Sequence, residues 1–143
     1  MRSFLRIVAT LAVVFAGLYF LDPTDSQFET FAENGDALAS AYRDRRNDLH
    51  VTGEGVVIRI LPDDRDGDRH QRFILELSSG QTLLIAHNID RAPRIPSLST
   101  GDLVEFSGEY RWNEQGGLIH WTHSDPNGLH EGGWLRHNGR TYR

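Results

Sequence analysis

Cysteine is absent from the 143 residues, and so is lysine. Without a thiol there is no disulfide, no thiolate metal ligand, no cysteine nucleophile and no lipoprotein acylation site. A domain of this length can bury an adequate core without cross-links. Without lysine there is no Schiff-base or lysine general-base chemistry. All fifteen basic residues are arginine, which stays charged when partly buried and pairs with carboxylates in a bidentate fork. Positive charge is scarce against 20 acidic residues, and the formal net charge is −5. With Arg2 and Arg6 set aside, 13 Arg face 20 acidic residues, a net −7. Such a domain repels phosphate backbones, which argues against a broad nucleic-acid surface and leaves open only a local Arg patch.

Long apolar runs are also scarce; there is one. Arg2 and Arg6 precede Ile7 to Leu21, fifteen residues without a charge. A helix of that length reaches about 22 Å at 1.5 Å per residue, short of the ~30 Å hydrocarbon core of a bilayer. Phe4 and Leu5 extend it. A basic start followed by an apolar stretch fits a secretory signal, but LYFLDP offers no small-x-small cleavage site. Residues 1–21 therefore read as a signal peptide or an uncleaved signal-anchor. Both place the Arg-flanked end in the cytoplasm and the rest outside it, and the second makes the inner membrane a partner through residues 4–21. A buried core helix is the remaining alternative.

Residues 22–48 read as a linker and an amphipathic helix. Asp22 to Ser26 is a break. Phe28, Phe31, Leu38, Ala41 and Tyr42 then recur at helical spacing, with re-capping near Asn34-Gly35-Asp36. Arg43, Arg45 and Arg46 sit where positive charge suits a helix C-terminus.

From Leu49 the period changes to two. Val51 to Leu61 predicts a first strand, bent or bulged at Gly53 and Gly55. Asp63 to Arg69, centred on Asp66-Gly67, predicts a hairpin tip. As a calcium loop it fails, because Arg69 holds the sixth position and Leu75 the twelfth. His70 to Ser78 and Gln81 to Asn88 are the second and third strands, the third apolar on both faces. Residues 89–99 form an irregular crossover with Pro93 and Pro96. Leu103 to Trp112 is the fourth strand, with Val104, Phe106, Gly108, Tyr110 and Trp112 on one face, and Leu118 to His123 the fifth. Asn138-Gly139 marks a short hairpin in the tail. Five short strands with a long connection between the third and fourth predict a mainly β domain over residues 49–143. The expected fold is a small five-stranded OB-like barrel with a turn-rich, histidine-containing tail.

The wording VVIRILPDD, HQRFILELSSGQTLLIAHNIDRAPRI and GDLVEFSGEYRWNEQGGLIHWTHSDPNGLHEGGWLRHNG resembles a family of small bacterial proteins known only as a domain of unknown function. Its members look like short exported or membrane-anchored proteins. The resemblance covers about residues 50 to 143 and implies no activity, catalytic residue or cofactor.

Chemistry must therefore come from the residues. Four of the seven histidines lie between His120 and His137. His120, His123, Asp125, His130 and His137 form the candidate metal set, with nitrogen and oxygen donors suited to Zn²⁺ or another divalent ion. Alternation along a straight strand would put His120 and His123 on opposite faces and turn Trp121 toward the core. A turn at Thr122–His123 is needed to bring these side chains together. His70, Arg72, His87, Asn88, Asp90 and Arg94 form a candidate ligand set, because the start of the second strand lies beside the end of an antiparallel third. Trp112, Trp121 and Trp134 read as packing residues, and histidines that anchor loops to backbone carbonyls are the bland alternative for both sets.

Three functional readings result. The preferred one is an extracytoplasmic OB-like binding module for a divalent metal or small anionic ligand. The second is a metal-dependent hydrolase of phosphodiesterase or nuclease type, with metal hydroxide attacking and Arg holding phosphate; no HExxH motif supports it. The third is a structural or interaction protein of the envelope without a small-molecule site.

Overall fold

A computed structural model describes residues 34–143. The predicted signal or anchor and the start of the amphipathic helix lie outside the described residues. No helix among the described residues is long and apolar enough to cross a membrane.

The chain is helical over residues 34–43, here α1. Leu38 and Ala41 bury its inner face. Its end is a Schellman motif: the Arg46 amide donates to Ala41 O at 2.9 Å and the Arg45 amide to Tyr42 O at 3.2 Å. Arg45 takes the left-handed position, φ 51°, that usually falls to glycine. Its guanidinium lies 4.9 Å from the Trp112 ring centroid, a contact that offsets part of the strain.

Seven strands follow. They are β1 (Asn47–Asp64), β2 (His70–Glu76), β3 (Thr82–Asn88), β4 (Leu103–Arg111), β5 (Leu118–His120), β6 (Trp134–His137) and β7 (Arg140–Tyr142). They form one mixed sheet in the order β1-β2-β3-β5-β4-β6-β7, and an added β1–β4 pairing closes the first five into a ring. β1 makes closure possible because it serves two neighbours. Its first part pairs with β4 up to Val56↔Leu103, and its second part pairs with β2 from Val56↔Glu76 onward. Contrary to the bend or bulge predicted there, no register shift falls at Gly53 or Gly55, where pairing with β4 is continuous; the irregularities of β1 lie at Asn47/Leu49, Val57/Arg59 and Leu61/Asp64, and the two glycines serve close packing instead. A Cβ on Gly53 would stand 2.8 Å from the Phe106 ring, and one on Gly55 2.9 Å from Glu76 O. The parallel pairing of β3 with β5, Leu84↔Leu118 and Ile85↔Ile119, makes the sheet mixed.

The alternation read from the sequence sets the inside. Phe73, Leu75, Leu83, Ile85, Val104, Phe106, Tyr110, Ile119 and Leu135 are all fully buried within the ring. β3 alternates, so Leu84 is half-buried outside the ring although the strand looks apolar on both faces. The middle three strands lie within two residues of prediction, and two others differ more. β1 runs well beyond 51–61 because both its edges are paired. The fifth strand stops at His120 instead of His123. β4 then continues its pairing with β6, from Ser107↔Trp134 to Glu105↔Arg136. Residues 121–133 are thus an excursion between two segments that share one edge of β4. The β6–β7 hairpin turns at Asn138 and Gly139, both with positive φ, as an Asn-Gly turn requires.

Candidate functional site

The excursion of residues 121–133 is closed at its base by a hydrogen bond from the Gly133 amide to His123 O, 2.9 Å. Only glycine fits at 133. A Cβ there would lie 2.2 Å from Trp121 O and 2.4 Å from Ser107 O. At the other side of the base the chain leaves β5 through Trp121, which adopts φ 55°. This rotation takes Trp121 out of the strand register. Its ring does not enter the core as alternation predicts; it is half-buried and packs against two imidazoles. The centroid of His123 lies 4.8 Å away and that of His130 4.1 Å away. The indole Nε1–H is buried and has no hydrogen-bond partner.

Asp125 shapes the tip of the excursion. Its Oδ1 accepts the Asn127 amide at 3.0 Å, and its Oδ2 accepts the amides of Leu129 and His130, each at 2.8 Å. The His130 amide is the strongest of the influences that hold this carboxyl below the usual range, with the other two amides adding to it. Asp125 therefore fixes the loop that carries His130.

Beneath this corner lies the first half of the predicted ligand set. His87 is fully buried. Its Nε2 meets Pro93 O at 2.9 Å and its Nδ1 meets Thr122 Oγ at 2.7 Å. A carbonyl can only accept, so Nε2 carries the proton and Nδ1 accepts from the threonine hydroxyl. Burial pushes the His87 pKa down, the hydrogen bond to Pro93 O opposes this, and the neighbouring His123, His70 and Arg94 add to the lowering. His70, His87, His123 and Arg94 thus gather at one end of the ring. The other members of the set are taken up by residues outside it. Arg69 binds Asp90 through its backbone amide, Nε and a terminal nitrogen. Asn88 donates to Asp68 at 2.9 Å, and Arg91 lies 3.6 Å from the same carboxylate. Arg94 pairs with Asp63. Arg72 Nε donates to Pro62 O, and His70 Nδ1 to Asp68 O. These contacts tie the β1–β2 turn to the loop after β3.

The predicted metal set does not form one group. His120 sits 3.1 Å from Glu109 with Arg111 Nε beside it, on the outer face of β4 and β5. Burial lowers its pKa, and Glu109 acts in the opposite sense. His137 bonds Asp102 at 2.9 Å near the start of β4. Only His123, Asp125 and His130 share a place, and there Asp125 is taken up by amides. Among the described residues no three His, Asp or Glu side chains are arranged to hold a metal.

Three contributors escaped sequence reasoning. Gln71 is buried and exchanges two hydrogen bonds with the Ile95 backbone, 3.0 and 2.9 Å. Thr122 supplies the hydroxyl for His87. His50 Nε2 lies 2.8 Å from the buried Ser107 Oγ, and Glu131 of the excursion approaches the same nitrogen at 3.7 Å. This is not a triad, because serine and carboxylate both address one nitrogen. None of these groups stands out by spacing; each depends on which strand lands beside it.

Residues 22–143 match the family model described as a protein of unknown function, DUF3465. The chain belongs to the DUF3465 family. The DUF3465 match takes in α1, every strand and the excursion, so the Trp121 corner is part of the family domain. It begins twelve residues before the first described one, inside the segment predicted as linker. No curated protein matches the chain.

Proposed function

We propose that this DUF3465 domain is an extracytoplasmic binding module on an OB-like barrel, and that it takes a small oxyanion at the Trp121–His123–His130 corner. The ring order, the long shared first strand and the parallel closing pair support the OB-like reading. The Arg-flanked apolar run at residues 7–21 supports a location outside the cytoplasm.

One observation carries the site. The Trp121 indole N–H is buried and unpartnered, on a residue held at positive φ. An unmade buried hydrogen bond costs about 1–3 kcal/mol, and such an orphan calls for a partner. The partner must accept, because indole nitrogen only donates. The two flanking imidazoles favour an anionic acceptor when protonated. His123 directs Nδ1 to Ser124 O at 2.8 Å, which leaves Nε2 for the ligand. Commitment of both Asp125 oxygens to backbone amides favours an anion over a cation here. The contacts to Asp90, Asp68 and Asp63 support a structural role for Arg69, Asn88, Arg91 and Arg94, and they are left out of the site. A metal-dependent hydrolase has no cluster to support it among the described residues.

The test is a titration of the protein with inorganic phosphate, sulfate and acetate, followed by the proton–nitrogen NMR signal of the Trp121 indole. The signal is assigned from its loss in Trp121→Phe. A saturable downfield shift of that signal alone is expected. An unmoved indole signal with all three anions up to the millimolar range ends the proposal.

A further inference from the structure

A second surface stands apart from the Trp121 corner, on the outer face where β1 passes from β4 to β2. Cross-strand partners share a face of the sheet. Val56 stands there between its partners Leu103 on β4 and Glu76 on β2, and Glu54 lies two residues back on the same face, opposite Glu105. Beyond Val57 the register shifts: Ile58 has no partner on β2, and Arg59 pairs with Ile74. Ile74 alternates with buried Phe73 and Leu75 and so shares the outer face with Glu76. The shift therefore brings Arg59 onto the face of Glu54 and Val56, where unbroken alternation would turn it inward. Val56 is 41%, Ile58 44% and Leu103 54% exposed. Contiguous exposed aliphatics of this kind mark a contact surface. A groove of about 390 Å³, bounded among others by Leu38, Glu54, Gly55, Val56 and Leu103, opens at the Glu54 end of the row.

The charges at the two ends of this row are unbalanced. Glu105 is matched by Arg136 at 3.1 Å. Among the described residues neither Glu54 nor Arg59 has an ion-pair partner. Burial first, and Glu105 second, hold the Glu54 carboxyl above its usual range. Five positions along a strand span about 16 Å, so Glu54 and Arg59 of one chain do not meet.

We infer that this face binds a second copy of the chain, laid antiparallel on the first about a two-fold axis between Val56 and Val57. That placement sets Arg59 of each copy over the partner's Glu54, and Ile58 of each over the partner's Gly55, at the mouth of the groove. An isologous contact makes each pairing twice. Val56 and Leu103 of both copies meet at the centre. A ligand of one charge would match one end of the row and be repelled at the other; a second copy matches both. The surface is independent of the Trp121 corner.

The chain has no cysteine, so single introduced thiols report the contact in the full chain, purified with detergent throughout. Val56→Cys lies at the axis, and Asp66→Cys lies away from it on the β1–β2 turn. Under a mild oxidant the Val56 variant should form a disulfide-linked dimer severalfold faster. Equal rates overturn the inference. Charge exchange gives a second readout. In analytical ultracentrifugation Arg59→Glu and Glu54→Arg should each weaken dimerisation about tenfold or more, because each sets like charges together. The two changes in one chain should restore it. A monomeric parent, single variants that associate as the parent does, or a double variant no tighter than the singles each overturn the inference. Should Glu54→Arg not fold, the thiol comparison and Arg59→Glu, at an exposed position, still decide.

Discussion

Asp102 Oδ2 accepts two hydrogen bonds of 2.9 Å, one from the Ser99 amide and one from Nε2 of His137. One carboxylate thereby joins the loop before β4 to the β6–β7 hairpin. The Ser99 amide first, and His137 second, hold the Asp102 carboxyl below its ordinary range. A depressed carboxyl stabilises the fold above its unfolded pKa, about 3.9, and that contribution is lost as pH falls through the lower folded value. Asp102→Asn should lower the midpoint of urea unfolding at neutral pH and flatten its decline in acid. A parent-like acid limb in the variant would show that this carboxyl is uncoupled from folding.

His87 predicts a second pH effect, in a higher window. Burial lowers its pKa in the folded chain, so the unfolded state takes up a proton first as pH falls. Stability should be full above about pH 6.5, the ordinary imidazole value, and should decline below it until the depressed folded pKa is reached. His120, also lowered by burial, acts in the same direction. Unfolding midpoints at pH 7.5 and pH 5.5 should differ in the parent and differ less in His87→Gln. An undiminished difference in His87→Gln would assign the effect elsewhere.

Trp121→Phe separates stability from binding. The substitution keeps an aromatic ring between His123 and His130 and removes the orphan N–H. Without ligand its stability should equal or exceed the parent's by up to about 1 kcal/mol, since an unsatisfied donor is gone. Phosphate binding should be lost together with the donor. A variant that binds phosphate as well as the parent in calorimetry would contradict a donating role for the indole.

Gly108 tests the crossing of β4 over β5. A Cβ there would lie 2.5 Å from His120 O, with Ile119 and Thr122 methyl carbons at 2.9 and 3.0 Å. Backbone cannot move aside cheaply, so Gly108→Ala should cost about 1–3 kcal/mol. Gly128→Ala is a poor control because of its positive φ, whereas Gly35→Ala has open space and no such φ. Chemical denaturation of the Gly108 and Gly35 variants should therefore give clearly different midpoints.

Gln71→Leu removes a side chain that both donates to and accepts from the Ile95 backbone in the core. Leaving those two groups unpaired should cost about 1–3 kcal/mol and free the loop after β3. Amide exchange of Ile95 should accelerate markedly more than that of Ile85. Equal acceleration at both sites would indicate global rather than local loosening.

Much of the scaffold is written in local pattern. Alternation at Phe73-Leu75, at Val104-Phe106 and at Tyr110 declares which face turns inward, because side chains alternate sides along any strand. Asn138-Gly139 announces a hairpin, because those residues tolerate backbone angles that others resist. Trp121 shows where such reading stops. Alternation sends it inward, but the strand ends one residue earlier because β6 takes over the edge of β4. That exchange depends on Gly133, twelve positions away, reaching the gap between Trp121 and Ser107.

The sequence by itself determined composition-level chemistry, namely no thiol, no lysine and an acidic domain, together with the strand periods and turns that yield a mainly β chain. Only the tertiary structure decided which polar groups remain free. Hydrogen bonds and ion pairs are short-ranged, so whether an imidazole or carboxylate is consumed depends on what long-range strand pairing places within about 3 Å of it. His120 found Glu109, His137 found Asp102, and Arg69 found Asp90. The Trp121 indole, brought beside two imidazoles by the turn after β5, found none.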